Sequence, residues 1–194
     1  PNGCTDGTVD YLNDLIVKGH PIKYFEHEEP LGFSAAYNVG IEEATGDYIV
    51  LLNNDTILLE QTKNDWLERL YTPFADTNRK VGATGPLKLW SEPANSSFIV
   101  FFCVMIKREL FKIIGNLDLV FGVGAGEDTA FCVEAEKAGY ECVQVPENSN
   151  VTTGDTVMLG NFPIYHKGEA TVGEIANWQE IFDKNSETLR KKYK

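Results

Sequence analysis

Residues 31–58 read LGFSAAYNVGIEEATGDYIVLLNNDTIL, and this stretch decides the fold class. Ser34 is a suitable N-cap for a helix that runs through Ala44, and Gly46 is placed to end it. Residues 47–52 then form a nearly continuous apolar run, which is typical of a strand buried on both faces of a parallel sheet. The stretch therefore predicts a helix that is followed by a buried strand.

The same alternation of helices and strands continues along the chain, which favours an α/β fold. A chain of 194 residues is long enough for one domain with a sizeable core, so we expect a single domain over residues 1–194. The sequence predicts helices at 8–19, 64–71, 108–114, 128–138 and 174–194, strands or extended segments at 22–26, 81–90, 96–106 and 140–145, and a loop-rich span at 147–172.

Composition and charge exclude several classes of protein. The chain is 43% hydrophobic and 11% aromatic, as expected for a globular domain, and its formal net charge is -12 with a pI near 4.7. This charge disfavours nucleic-acid binding, because phosphate backbones are recognised by basic surfaces. No apolar run approaches the roughly 20 residues that span a bilayer, and the first residues do not resemble a signal peptide. We therefore expect a cytoplasmic protein.

The four cysteines, Cys4, Cys103, Cys132 and Cys142, show neither a CxxC pair nor a zinc-like spacing. Mostly buried thiols in a reducing compartment are the expected state. A Cys132–Cys142 disulfide between a helix and the following strand is the alternative.

Polar side chains follow the apolar strand of residues 47–52 directly, at Asn53, Asn54 and Asp55. Ligands of open α/β sheets bind beyond the carboxyl ends of the strands. Oxygen-bearing side chains suit Mg²⁺ or Mn²⁺, particularly when substrate phosphates complete the coordination shell. On this stretch alone, a simple Asx turn at the end of a strand remains the alternative.

Three further features could carry chemistry. Glu127 and Asp128 stand at the start of a helix after the glycine-rich residues 122–126, where they could cap the helix or act as a general base. His166 could be a ligand, although a lone histidine is more often structural. The basic residues 190–194 suit a solvated helix end, and contact with a membrane surface is the alternative.

The order of these segments resembles that of the family 2 glycosyltransferases of the GT-A fold, over nearly the whole chain. Residues 2–12, NGCTDGTVDYL, look like that family's asparagine-glycine-serine-threonine-aspartate turn and helix. Residues 31–58 look like its glycine-rich loop, helix and metal-binding strand end. DWLERL (65–70), IKRELFKIIGNLD (106–118), GEDTAFCVEAEKAGY (126–140) and VPENSNVTTG (145–154) then follow in the family's order.

The resemblance implies a GT-A-like, Rossmann-like fold with a mixed, mostly parallel sheet flanked by helices. The family's first strand, first helix and second strand would precede residue 1, so its first strands are expected to be missing or reduced. The implied activity is metal-dependent, inverting transfer of a sugar from a nucleotide-diphosphate sugar to a hydroxyl. A glycan, a glycoprotein or a lipid-linked molecule would be the acceptor, and an exposed sheet edge makes a homodimer plausible.

The resemblance also implies roles for particular residues. Asn53 and Asp55 fall on the two acidic positions of the family's Asp-x-Asp motif, and His166 falls near a histidine that completes the metal site in some relatives. Asp55, Asn53 and His166 would thus hold Mn²⁺ or Mg²⁺, with Asn53 as a neutral oxygen ligand, and Asp128 falls on the catalytic base. The donor would be bound by Asn2, Gly32, Phe33, Asn38, Asn53 and Asn54.

Two other functions are compatible with this fold. A truncated relative could bind nucleotide or glycan without turnover. A sugar-1-phosphate nucleotidyltransferase would need a basic, glycine-rich phosphate loop near the N-terminus, and no such loop is present at the start of this sequence.

Overall fold

The computed structural model describes residues 1–146, 162–168 and 175–194. The predictions for residues 147–161 and 169–174 lie outside the described residues. The helices are α1 (Thr8–Val17), α2 (Phe33–Glu43), α3 (Asp65–Tyr71), α4 (Arg108–Ile114), α5 (Glu127–Lys137) and α6 (Trp178–Tyr193). The strands are β1 (Tyr48–Leu52), β2 (Thr56–Leu58), β3 (Val81–Gly85), β4 (Lys88–Ser91), β5 (Ser96–Ile99), β6 (Cys103–Lys107), β7 (Glu141–Gln144) and β8 (Ile164–His166).

The main sheet has the strand order β1-β6-β3-β7, with helices packed around it. β6 pairs antiparallel with β1 and with β3, whereas β3 and β7 pair parallel. The predicted mixed α/β class is confirmed, but the expectation of a mostly parallel sheet is wrong. An apolar run indicates that a strand is buried and carries no information about the direction of its neighbours.

The apolar run at residues 96–106 forms two strands instead of the predicted one. β5 pairs with β4 in a separate two-stranded sheet, and residues 100–102 then lead the chain into β6 of the main sheet. The apolar run continues without interruption from Phe98 in β5 to Ile106 in β6, so hydropathy alone cannot locate the break between the two strands.

β1 lies at one end of the described sheet and pairs with β6. Ile49 and Leu51 are buried in the core on one face, and Tyr48 and Val50 pack half-buried against the core on the other. Both faces of β1 are therefore covered, and only Leu52 at its end is exposed. The second edge of β1 is where the expected homodimer would form, and that assembly stays a prediction.

Helices with clear local stop signals begin and end close to their predicted residues. α3, α4 and α5 match the predictions within one or two residues, and Gly115 and Gly139 adopt positive φ angles just beyond α4 and α5. The C-terminal helix begins at Trp178, later than the predicted residue 174.

Two segments differ from their predicted states. Residues 22–26 form no strand, and an isolated parallel bridge joins Asn2 to His27 instead. β8 lies in the span that was predicted to be loop-rich, where it pairs antiparallel with β2. A strand of three residues is too short for its periodicity to be recognised.

Two apolar cores cover the two faces of the main sheet, and a third, smaller core packs α6 against α5. The first contains Ile49, Leu51, Val104, Ile106, Leu110 and Phe131, the second Leu70, Phe102, Met105, Phe162 and Ile164, and the third Phe121, Ala130, Val133 and Leu189. Cys103, Cys132 and Cys142 are buried free thiols and Cys4 is exposed, so the alternative disulfide is not formed.

The basic end of α6 is engaged within the protein. Arg190 and Lys194 form ion pairs with Glu92, and Lys192 pairs with Asp118 at 2.8 Å. These cations therefore do not form the free basic patch that would be needed for the predicted membrane contact. In the described parts of the chain, no helix combines the length and the apolar character required to cross a bilayer.

Candidate active site

The turn after β1 brings Asp55 against His166. β2 begins directly after this turn and pairs with β8 in a register that sets Thr56 opposite His166. As a result, the Nε2 atom of His166 lies 3.1 Å from Oδ1 of Asp55, although the two residues are 111 positions apart. Their side chains are only 13% and 17% exposed, so this is a sheltered contact between two candidate metal ligands.

The imidazole of His166 is held in a defined orientation. Its ring stacks on Phe102 with centroids 4.2 Å apart and an angle of 6° between the planes. Burial lowers the pKa of His166, and the Asp55 carboxylate opposes that shift. A neutral imidazole that faces a carboxylate carries its proton on Nε2 and donates it to Asp55.

Asn53 is anchored from two sides. Its side-chain Oδ1 accepts a hydrogen bond from the hydroxyl of Tyr37 at 2.8 Å, and its backbone N–H donates to the carbonyl of Phe102 at 2.8 Å. Burial and then the Asp55 carboxylate raise the pKa of Tyr37, so this hydroxyl stays protonated and remains a donor. Tyr37 lies one turn after Phe33 on α2, and their rings are 4.6 Å apart. Asn54 is exposed on the same turn as Asn53.

The donor set at this turn fits a divalent cation that is only partly held by protein. Neighbouring ligands of an octahedral ion with bonds of about 2.1 Å lie roughly 3 Å apart, close to the 3.1 Å between Asp55 and His166. The amide oxygen of Asn53 keeps one lone pair beyond the Tyr37 bond. In residues 1–146, 162–168 and 175–194, no three His, Cys, Asp or Glu side chains form a metal-binding group. A cation here would therefore need substrate or water oxygens to complete its shell.

The N-terminus of α2 depends on the conformation of Gly32. This residue has φ 81° and ψ 178°, a region that is essentially restricted to glycine. A Cβ atom at Gly32 would lie 2.8 Å from the carbonyl oxygen of Gly122 and 3.1 Å from Cα of Val123. Gly32 itself is the N-cap, and Ser34 lies buried within the helix, where its Oγ has no hydrogen-bond partner among the described residues, so the predicted Ser34 cap is wrong.

Replacing Gly32 by alanine should therefore destabilise the fold by about 1–3 kcal/mol, because the backbone angles and the contact with Gly122 both oppose a Cβ atom. Gly40 of the same helix provides the matched control. It has open space around its Cα, so Gly40→Ala should leave stability unchanged or raise it by up to about 1 kcal/mol. Urea unfolding of both variants measures the difference, and equal midpoints would contradict the expectation.

The other predicted donor residues hold segments of the chain together. Asn38 uses both ends of its amide on Leu117, donating to its carbonyl at 2.8 Å and accepting from its N–H at 3.0 Å. Asn2 accepts a hydrogen bond from the backbone N–H of Leu31 at 2.7 Å. The amide of Asn2 thus holds the loop before α2, next to Gly32. The amide of Asn38 joins α2 to the segment after α4.

Asp128 lies at the start of α5, which begins at Glu127 after the left-handed Gly126. Oδ1 of Asp128 accepts a hydrogen bond from the backbone N–H of Thr129 at 2.6 Å. Burial raises the pKa of Asp128 to about 6, against the opposing effect of hydrogen bonds from Thr129 and from the backbone of Phe101. Asp128 is therefore a stronger base than an ordinary aspartate and is still largely ionised at neutral pH.

Residues 101 and 102 connect the two groups of polar residues. The backbone of Phe101 bonds to Asp128, whereas the ring and carbonyl of Phe102 contact His166 and Asn53. The start of α5 therefore contacts Phe101, and the turn after β1 contacts the adjacent Phe102. Sequence reasoning did not identify Phe102, since an aromatic residue inside an apolar run carries no functional signal.

Glu127 is a buried acid with an unsatisfied oxygen. It is only 5% exposed, and its Oε2 has no hydrogen-bond partner in the described part of the chain. Burial, followed by the Asp128 carboxylate, raises the pKa of Glu127 to about 8. Asp128 accepts the N–H of Thr129, which stabilises its carboxylate, whereas Oε2 of Glu127 has no such donor among the described residues. Asp128 is therefore the acid of the pair that ionises more readily.

Glu127 should make the free energy of unfolding depend on pH. Its pKa is raised in the folded state, so the folded protein binds more protons than the unfolded chain between pH 4.5 and about 8. Stability should consequently fall as pH rises through this window. In Glu127→Gln, the melting temperature should fall less between pH 5 and pH 8 than it does in the wild type. The control is Glu134→Gln on the same helix, where an exposed ion pair with Lys137 is lost. Parallel curves for Glu127→Gln and the wild type would contradict the expectation.

Comparison with known proteins gives a family match for the first part of the chain. Residues 2–88 match the family model described as Glycosyl transferase family 2. A Haemophilus influenzae protein described as an uncharacterized glycosyltransferase is 37% identical over 68 residues, which cover 35% of this chain and 26% of that protein. This chain thus spans about a quarter of the length of that relative.

Solved structures with a similar fold include those of two glycosyltransferases. The mannosyltransferase PcManGT from Pyrobaculum calidifontis, solved with GDP-Man and Mn²⁺, matches with a TM-score of 0.55 and 22% identity over 72% of this chain and 42% of its own. The catalytic domain of Drosophila β1,4-galactosyltransferase 7, in complex with xylobiose, matches with a TM-score of 0.50 and 19% identity over 91% of this chain and 72% of its own. At these identities the likeness establishes the fold alone, and it confirms the predicted GT-A-like class.

Proposed function

We propose, taking the match of residues 2–88 to glycosyl transferase family 2 as the premise, that this chain transfers sugar from a nucleotide-diphosphate sugar to a hydroxyl acceptor. The observation that carries this proposal is the 3.1 Å contact between Asp55 and His166 at the end of a sheet strand. Two side chains of metal-binding type, sheltered together at such a strand end, suit the diphosphate of a donor.

On the donor side, Asp55 and His166 would hold Mn²⁺ or Mg²⁺, with Asn53 as a neutral oxygen ligand. When bound, such a cation offsets the negative charge that develops on the departing diphosphate. His166 would offer Nε2 as a ligand in the tautomer that carries the ring proton on Nδ1, so coordination would replace its hydrogen bond to Asp55 without loss of a proton from the neutral ring. Tyr37 keeps the amide of Asn53 in place through its hydrogen bond.

On the acceptor side, Asp128 would remove the proton from the attacking hydroxyl. The acceptor oxygen forms its bond to the anomeric carbon while the bond from that carbon to the diphosphate oxygen breaks. The hydroxyl proton passes to the Asp128 carboxylate and is later lost to solvent. A single displacement of this kind inverts the anomeric centre. A pKa of about 6 suits this role, because the carboxylate is ionised at neutral pH and still basic.

The acceptor would be a glycan, a glycoprotein or a lipid-linked molecule, and the donor would carry UDP, GDP or dTDP. GDP-Man and Mn²⁺ bound to the Pyrobaculum mannosyltransferase make GDP-mannose and Mn²⁺ sensible first probes. The family match covers residues 2–88 and leaves the choice of nucleotide open.

A donor screen tests the proposal. The purified chain is incubated with UDP-, GDP- and dTDP-sugars and Mn²⁺ or Mg²⁺, with EDTA as the control, and release of the nucleotide diphosphate is measured with and without simple glycoside acceptors. One class of donor should raise the melting temperature in the presence of the cation and should be turned over. Failure of every nucleotide diphosphate to bind with any cation would overturn the proposal. Binding without turnover would favour the non-catalytic alternative.

A further inference from the structure

The loop at residues 121–126 joins the two halves of the candidate site. On one side, Gly122 and Val123 lie against Gly32 at the start of α2. On the other, the loop leads directly into Glu127 and Asp128 at the start of α5. Any change in the path of this loop would therefore alter how Asp128 lies relative to Gly32.

The loop has an unusual backbone. Four of its residues have positive φ angles: Gly122 (63°), Gly124 (143°), Ala125 (69°) and Gly126 (130°). For Ala125 this conformation is intrinsically unfavourable, and such strain persists only where the surrounding structure holds it in place. The flexibility of the three glycines makes an external support more important.

The support comes from α6, more than 60 residues further along the chain. Asn185 is 2% exposed, and its Nδ2 group donates hydrogen bonds to the carbonyl oxygens of Phe121 at 2.9 Å and Gly124 at 2.8 Å. The two hydrogens of one amide thus bridge two carbonyls that are three residues apart. Leu189, one turn later, packs on Phe121 in the third core.

Docking of the helix alone does not explain the choice of asparagine. Burying an amide is unfavourable unless it is hydrogen-bonded, whereas an apolar side chain such as Leu189 supplies packing without that requirement. Both bonds of Asn185 end on backbone carbonyls of the loop, so they stabilise one particular loop conformation.

We propose that Asn185 is a positioning residue, which clamps the carbonyls of Phe121 and Gly124 and so holds the 121–126 loop in the path that orients Asp128 toward the donor side. This inference rests on the proposed function, since it concerns the same transfer reaction. Asn185 acts through the loop, and the loop carries Asp128. A displacement of about 1 Å in a reacting group can cost on the order of a hundredfold in rate.

The test compares variants of two adjacent buried residues of α6. Asn185→Leu removes both donors and keeps most of the volume, and Asn185→Ala is the second variant in case the first does not fold. Ser186→Ala is the matched control, because Ser186 is also buried on α6 and has no hydrogen bond to the loop among the described contacts. Hydrogen–deuterium exchange of peptides covering residues 119–131 reports on the loop without any ligand. Steady-state kinetics with GDP-mannose, or with the UDP- or dTDP-sugar that the screen selects, report on transfer.

The Asn185 variants should show faster exchange in residues 119–131 and at least a tenfold lower kcat, with an unchanged thermal shift from Mn²⁺ and the nucleotide diphosphate. Ser186→Ala should show neither change. A folded Asn185 variant with kcat within twofold of the wild type, or with unchanged exchange, would overturn the positioning role. So would equal losses in Ser186→Ala, which would indicate general docking of the helix. If the wild type turns over no donor, the proposed function fails and the catalytic role of Asn185 fails with it, while the exchange data still show whether the clamp exists.

Discussion

Replacing Asp128 by asparagine should lower kcat by about two to four orders of magnitude, the usual contribution of a general base. The amide has nearly the same shape and its oxygen can still accept the N–H of Thr129, but it cannot take up the proton of the acceptor hydroxyl. The metal and the nucleotide diphosphate would be held elsewhere, by Asp55 and His166. The thermal shift produced by Mn²⁺ with the nucleotide diphosphate should therefore persist.

The Asp128→Asn variant should also retain its stability. Loss of the half-buried Asp128 carboxylate removes one cause of the raised pKa of Glu127, namely the repulsion between the two neighbouring charges. Initial rates and melting curves are measured side by side with Glu134→Gln, which changes a half-exposed acid of the same helix. Full turnover by Asp128→Asn would show that the base has been assigned wrongly. A loss of folding would appear in the melting curve and would not be mistaken for a loss of chemistry.

Replacing Asp55 by alanine should abolish the stabilisation by Mn²⁺ and nucleotide diphosphate. A ligand at 100 times its Kd stabilises by about 2.7 kcal/mol, which corresponds to roughly 5–10 °C in a chain of this size. Without the Asp55 carboxylate, the site loses its only formal negative charge among Asn53, Asn54 and Asp55. His166→Ala should weaken the shift for the same reason, through loss of the second ligand.

Asn53→Asp provides the opposite change. It adds a carboxylate at the position where Tyr37 already donates a hydrogen bond, so cation affinity should rise and the thermal shift should grow. The control is Asp14→Ala on α1, which removes an exposed acid that pairs with Lys18. The metal assignment would be refuted by an unchanged thermal shift in Asp55→Ala, or by a weaker shift in Asn53→Asp.

Local signals in the sequence were enough to predict much of the fold. α3, α4 and α5 follow from their apolar spacing and from glycines just beyond α4 and α5, so their bounds were predicted closely. The α/β class followed from the alternation of elements, and the turn after β1 was identified because short polar side chains interrupt an apolar run there. Each of these features depends on neighbouring residues in the chain.

Contacts between distant segments could not be predicted in this way. The antiparallel insertion of β6, the short strand β8 and the buried state of Glu127 depend on which segments pack together. The resemblance suggested His166 as a ligand, but the sequence contained nothing that would set its imidazole 3.1 Å from Asp55. Asn185 gave no signal at all, since an asparagine beside the charged residues of an amphipathic helix is expected on its solvent-exposed face.

By itself, then, the sequence determined most of the helices, the α/β class and the polar turn that follows β1, because propensity, capping and hydropathy act over a few residues. Only the tertiary structure decided that Asp55 meets His166, that Glu127 is buried beside Asp128, and that α6 clamps the loop before α5. The contacts of Asp55 with His166 and of Asn185 with the loop join residues that are 61 to 111 positions apart, and the burial of Glu127 depends on distant segments as well. No local pattern in the sequence encodes such contacts.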